Sequence, residues 1–115
     1  MKLPNIQNAV IPRTKITDYL LSSTSRAGKA KAKIFMTFGF VREKWKEVVK
    51  SLIHHAEENE ISGIKRTIFG TKYIIDGFMK SPDGSSLNVR SVWFIDDDGD
   101  YPRFVTAHPL KRRKK

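Results

Sequence analysis

The sequence predicts an α+β domain, with about three N-terminal helices packed on a four-stranded antiparallel meander sheet. Three observations point to it. Apolar residues recur at helical spacing as far as Glu60 and with a period of two after Gly63. The later connections are short, and short connections force neighbouring strands to run antiparallel. The chain has 115 residues, 39% of them apolar, which suits a single hydrophobic core. Residues 1–110 are expected to form one domain, followed by a basic tail at 111–115.

The elements follow in order. Residues 1–12 contain Pro4 and Pro12 and no period, so they read as an extended arm with one apolar pair, Val10 and Ile11. Thr14 is a plausible N-cap for a short helix whose apolar residues are Ile16, Tyr19 and Leu20. The hydroxyl run at 22–25 stops it, because such side chains compete for backbone partners. A second helix should start near Arg26 to Lys29 and end at Gly39, with Ile34, Phe35 and Phe38 on its apolar face. Over 42–60, Trp45, Val48, Val49, Leu52, Ile53 and Ala56 form one stripe of helical period. Glu57, Glu58 and Glu60 crowd the end of that helix, where its dipole disfavours them, so they face either a basic neighbour or water. Strands are expected at 64–69, 72–79, 87–95 and 104–108, separated by turn signals that include Pro82-Asp83-Gly84.

Charge narrows the function. The formal net charge is +10, which speaks for phosphate or acidic protein partners rather than for a fold. Residues 1–42 carry eight bases and one acid, residues 43–110 nine bases and eleven acids, and the tail five bases. The absence of cysteine excludes a disulfide scaffold, a thiolate zinc site and a thiol nucleophile. No apolar run approaches the roughly 18 to 20 residues of a membrane span, and no secretory signal is evident. The expectation is a soluble cytoplasmic protein with no membrane partner. The basic tail reads equally as solubility, a localisation tag or an appended remnant.

Several patterns invite chemistry. The acids of 96–100 suggest a cation loop but lack the closing Glu of an EF-hand, and a solvated hairpin tip is the better reading. His54 and His55 point in different directions on a helix, so a helix-surface role is expected rather than metal ligation. Phosphate-loop, serine-hydrolase and zinc-protease motifs are missing. The reading therefore calls for no cofactor and no metal.

Arg26, Lys29, Lys31 and Lys33 alternate with small residues where the second helix begins. A helix N-terminus and ammonium groups together suit an anion, which makes these four the candidate phosphate-binding residues. Their alternation also spreads them around the helix, as a solubilising face would. A ribonuclease that works without metal or thiol needs a proton-transfer group and cations for the charge on the phosphorane. The candidates are Tyr73, Arg90, Thr106 and His108. Period two puts Thr106 and His108 on one face, as a proton-transfer and an orienting group require, and histidine titrates in the operating range. Both positions also suit surface residues of an edge strand.

Taken in order, Lys2-Leu3-Pro4-Asn5, Ala9-Val10, Thr17-Asp18-Tyr19-Leu20-Leu21, Gly28-Lys29-x-Lys31-Ala32, Gly70-Thr71-Lys72-Tyr73, Val89-Arg90-Ser91-Val92-Trp93 and Thr106-Ala107-His108-Pro109-Leu110 resemble a bacterial family of small domains of unknown function. Its members stand alone or sit at the C-terminal ends of polymorphic toxins. The resemblance covers residues 2–110 and implies a toxin–antitoxin or effector–immunity pair, with a small acidic protein as partner. The order of elements is similar to the barnase–EndoU–colicin–RelE superfamily of RNases, an analogy of architecture. Two positions depart from the family pattern. Ala30 stands where the family often has His, and His108 where it commonly has Tyr. If the family histidine were the base, this chain would be inactive or would use His108 instead. The expected function is a metal-independent RNase or RNA-targeting effector. The alternative is a non-enzymatic basic module that binds nucleic acid or an acidic protein.

Overall fold

The computed structural model describes residues 1–21 and 26–110, with backbone alone at Tyr19 and at 26–30. The chain runs through a 3-10 turn (Ile6–Asn8), a π-helical turn (Lys15–Leu20), helix α1 (Arg26–Thr37), a 3-10 turn (Arg42–Lys44) and helix α2 (Trp45–Glu58). Strands β1 (Gly63–Arg66), β2 (Gly70–Lys80), β3 (Ser86–Asp96) and β4 (Arg103–Pro109) follow. They form one antiparallel sheet in the order β1-β2-β3-β4. The expected α+β fold with a meander sheet is what the chain adopts. Among the described residues, no helix is long and apolar enough to cross a membrane.

Periodicity explains the core. Val48, Leu52 and Ala56 from the α2 stripe are buried, as are Ile16, Leu20, Leu21 and Phe35 from the earlier segments. They meet the alternate residues Ile75 and Met79 of β2 and Leu87, Val89 and Trp93 of β3. Trp93 packs edge-on against Phe104 at 5.5 Å, and Phe35 against Phe40 at 6.1 Å. Gly39 ends α1 in the left-handed region, φ 99°, where a side chain would be strained. The segment expected as the first helix winds as a π-helix, with Leu21 N–H donating to Ile16 O at 2.8 Å.

The first strand is shorter than the apolar run at 64–69 suggests. The Thr67 hydroxyl accepts from the backbone N–H groups of Phe69 and Gly70 at 3.1 and 3.2 Å. That local turn ends pairing at Arg66 and leaves Ile68 and Phe69 exposed. The arm at 1–12 starts beside the end of α2, where Ile61 N–H donates to Met1 O, and ends at the edge of β4, where Val10 bridges Arg103 in parallel. It also resolves the glutamate crowding at the end of α2. Lys2 Nζ donates to Glu57 O at 2.9 Å and lies 4.0 Å from Glu60, so a basic neighbour is present. In the 96–100 loop, Asp96 pairs with Arg103 at 3.1 Å and Asp97 with Arg66 at 2.9 Å.

Candidate functional site

The sheet has two unlike faces. On β2, Thr71, Tyr73, Ile75 and Met79 face the helices, so the pleat turns Lys72, Ile74, Asp76 and Phe78 outward. On β3, Val89, Ser91 and Trp93 face the core, and Asn88, Arg90, Val92 and Phe94 face outward. Register places Asp76 opposite Arg90 and Arg90 opposite His108, one row across three strands.

A bulge on β4 makes that row. Trp93 pairs with Phe104 but Val92 pairs with Thr106, so Val105 is inserted between the two pairs. Phe104 belongs to the core. Unbroken alternation from Phe104 would therefore turn Thr106 and His108 inward. The extra residue reverses the phase and presents both on the outer face, a known use of bulges beside functional sites.

Arg90 is held by a bidentate pair, Nε to Asp76 Oδ1 at 2.7 Å and Nη2 to Asp76 Oδ2 at 2.9 Å. This leaves Nη1 outside the pair. The guanidinium holds the Asp76 carboxyl below its usual value, so the pair stays charged. His108 is half-buried, and its pKa is lowered from 6.5, first by desolvation and then by Lys31 and Arg90, against the pull of Asp76. A neutral imidazole at neutral pH, with cations beside it, can accept a proton and hold an anion.

Of the eight site residues expected from the sequence, the fold brings together Lys31, Arg90, Thr106 and His108. Lys31 is on α1, which packs against β4, and is near enough for its charge to act on His108. Lys33 is exposed two residues further along α1, a little over half a turn round the helix from Lys31. The side chains of Arg26 and Lys29 lie outside the described residues. Tyr73 is not part of the group: it pairs with Trp93 and packs on the core, so the pleat sets it on the helix side of the sheet. Asp76 was missed by residue-type reasoning. The connection 81–85 sets Lys80 opposite Ser86, and in that register Asp76 falls opposite Arg90.

His55 corrects the helix-surface expectation. It is buried at 1% exposure beneath the sheet. Its Nε2 lies 3.0 Å from the carbonyls of Gly77 and Val89, which can only accept, so Nε2 carries the hydrogen. Nδ1 then accepts from the Ser91 hydroxyl at 3.1 Å, and Ser91 Oγ accepts from Trp93 Nε1 at 2.9 Å. The network satisfies a polar group inside the core and positions β3 under α2. A cleft of about 560 Å³ lies elsewhere, between α2 and the 81–84 turn, and is lined by Lys50, His54 and Lys80 among others. None of the grouped residues lines it.

Fold and site together define a class: a small α+β protein whose open sheet face carries a histidine, a clamped arginine and further cations. The chain belongs to the domain-of-unknown-function family DUF6883, whose model matches residues 2–111. Its fold is similar to that of a chain in a contact-dependent growth inhibition toxin–immunity protein complex from Klebsiella pneumoniae 342. The TM-score is 0.72 at 18% identity, over 94% of this chain and 98% of that one. No curated protein matches the sequence.

Proposed function

We propose that this chain is a toxin-like effector of an effector–immunity pair and that it acts as a metal-independent ribonuclease. The observation that carries this reading is the row Asp76–Arg90–His108 on the open sheet face, with Lys31 beside it. His108, kept neutral, accepts the proton of an RNA 2′-hydroxyl, and Thr106 beside it orients the reacting group. The freed oxygen attacks phosphorus and breaks the bond to the 5′ oxygen, which leaves as a hydroxyl with a proton taken from water, so that a 2′,3′-cyclic phosphate remains and His108 returns its proton to solvent. Arg90, braced by Asp76, and Lys31 hold the phosphate and offset the charge that builds on it. Tyr73 takes no part. The partner half of the proposal is a small acidic immunity protein that covers the basic face. The likeness of fold to a chain of a toxin–immunity complex favours that half.

The test is incubation of the purified chain with tRNA, ribosomes and bulk RNA, with and without EDTA. Cleavage should persist in EDTA, and His108→Ala should lower its rate by about 10²- to 10⁴-fold while RNA affinity changes little. Intact RNA at high protein concentration, together with unchanged growth of cells expressing the chain, would sink the proposal.

A further inference from the structure

The outer face holds one aromatic feature that phosphate chemistry leaves unexplained. Phe78 is 65% exposed, in the part of β2 that extends past the β1 ladder at 71–74 and pairs with β3 alone. An exposed ring beside a row of cations is the combination on which nucleic-acid bases stack. Phe78 shares the outer face of β2 with Asp76, about 7 Å away along the strand. Opposite it in the register stands Asn88, just as Arg90 stands opposite Asp76. The ring and the amide thus form a second cross-strand pair directly beside the pair that holds the phosphate.

We infer that Phe78 and Asn88 form a nucleobase subsite adjoining the Arg90–His108 row. The inference rests on the ribonuclease reading and deepens it. An aromatic face stacks on any base, and a side-chain amide offers one acceptor and two donors to a base edge. A base can reach a flat ring on an open sheet only when it is unpaired and unstacked. The substrate class is therefore single-stranded or looped RNA, and a continuous duplex is excluded.

The test uses the full chain carrying His108→Ala and a fluorescent single-stranded RNA oligonucleotide, with a duplex of the same sequence as comparison. The single strand should bind more tightly than the duplex. Adding Phe78→Ala should weaken single-strand binding roughly tenfold, the scale of one stacked base, without altering the dependence on salt. Phe78→Trp should restore affinity and Phe78→Leu should not, which separates stacking from simple apolar contact. Because Phe78 is exposed, these variants should keep the parent melting temperature. Unchanged RNA affinity in Phe78→Ala, or full rescue by Leu, overturns the subsite and leaves the ribonuclease reading intact. Loss of affinity for an immunity protein alone also overturns it. If neither wild type nor His108→Ala binds RNA at all, the ribonuclease reading falls and the subsite falls with it.

Discussion

His55 and His108 show how one residue type takes opposite roles according to its surroundings. His108 keeps access to the open face, whereas His55 is enclosed and spends both nitrogens on internal partners. Burial lowers the pKa of His55 from its ordinary 6.5, so the unfolded chain binds its proton more readily than the folded one does. The neutral ring's contribution to stability is then fully present above about pH 6.5 and is lost as the pH falls from there toward the folded value. Urea unfolding should therefore show a rising midpoint between about pH 5 and 7, and His55→Asn should flatten that rise. His55→Ala should cost roughly 2–4 kcal/mol, because it opens a cavity and strands a buried hydroxyl and two carbonyls. Residue chemistry made His108 legible in the sequence, since a histidine two positions from a threonine on a strand is a recognisable pair. It could not reveal Asp76, whose role exists only through its cross-strand partner.

At the level of elements, two junctions decide whether the site forms. One is the approach of α2 to β2. Asn59 Nδ2 donates to the carbonyl of His55 at 2.9 Å, closing the end of α2. A Cβ added at Gly77 would lie 2.1 Å from Asn59 Oδ1, so glycine leaves the room that the Asn59 side chain fills. Gly77→Ala should cost roughly 1–3 kcal/mol by overpacking, and Asn59→Ala roughly 0.5–1.5 kcal/mol through the lost bond. In the double variant the clash disappears, so the combined loss in urea denaturation should fall well short of the sum. The other junction is the bulge at Val105. The segment 104–108 reads as a strand from composition alone, and its apolar positions do not reveal that the alternation changes phase within it. Phase depends on which residue of β4 pairs with which residue of β3, a long-range fact.

Over the whole molecule, folding sorts charge that the linear sequence leaves mixed. Residues 43–110 carry more acids than bases, yet Lys72, Arg90 and Arg103 all project from the outer sheet face. The acids that share it, Asp76 and Asp96, are each paired to an arginine. The face is therefore positive in excess, joined by Lys31 from α1. RNA affinity should fall linearly with salt on a double-logarithmic plot, and Lys72→Ala should reduce the slope by about one unit while weakening all sequences alike. A slope near zero would contradict binding by charge.

The sequence by itself determined the α+β class, the order of the elements, the meander and the helix stripe, because these rest on local periodicity and on turn residues at known spacing. It also singled out Lys31, Arg90, Thr106 and His108 by residue type. Tertiary structure alone decided which of the expected residues meet. The pleat sent Tyr73 to the core, the bulge turned Thr106 and His108 outward, and the hairpin register set Asp76 against Arg90. The physical reason is that a side chain's face depends on the count of residues between cross-strand partners. A single inserted residue reverses that face, and composition carries no record of it.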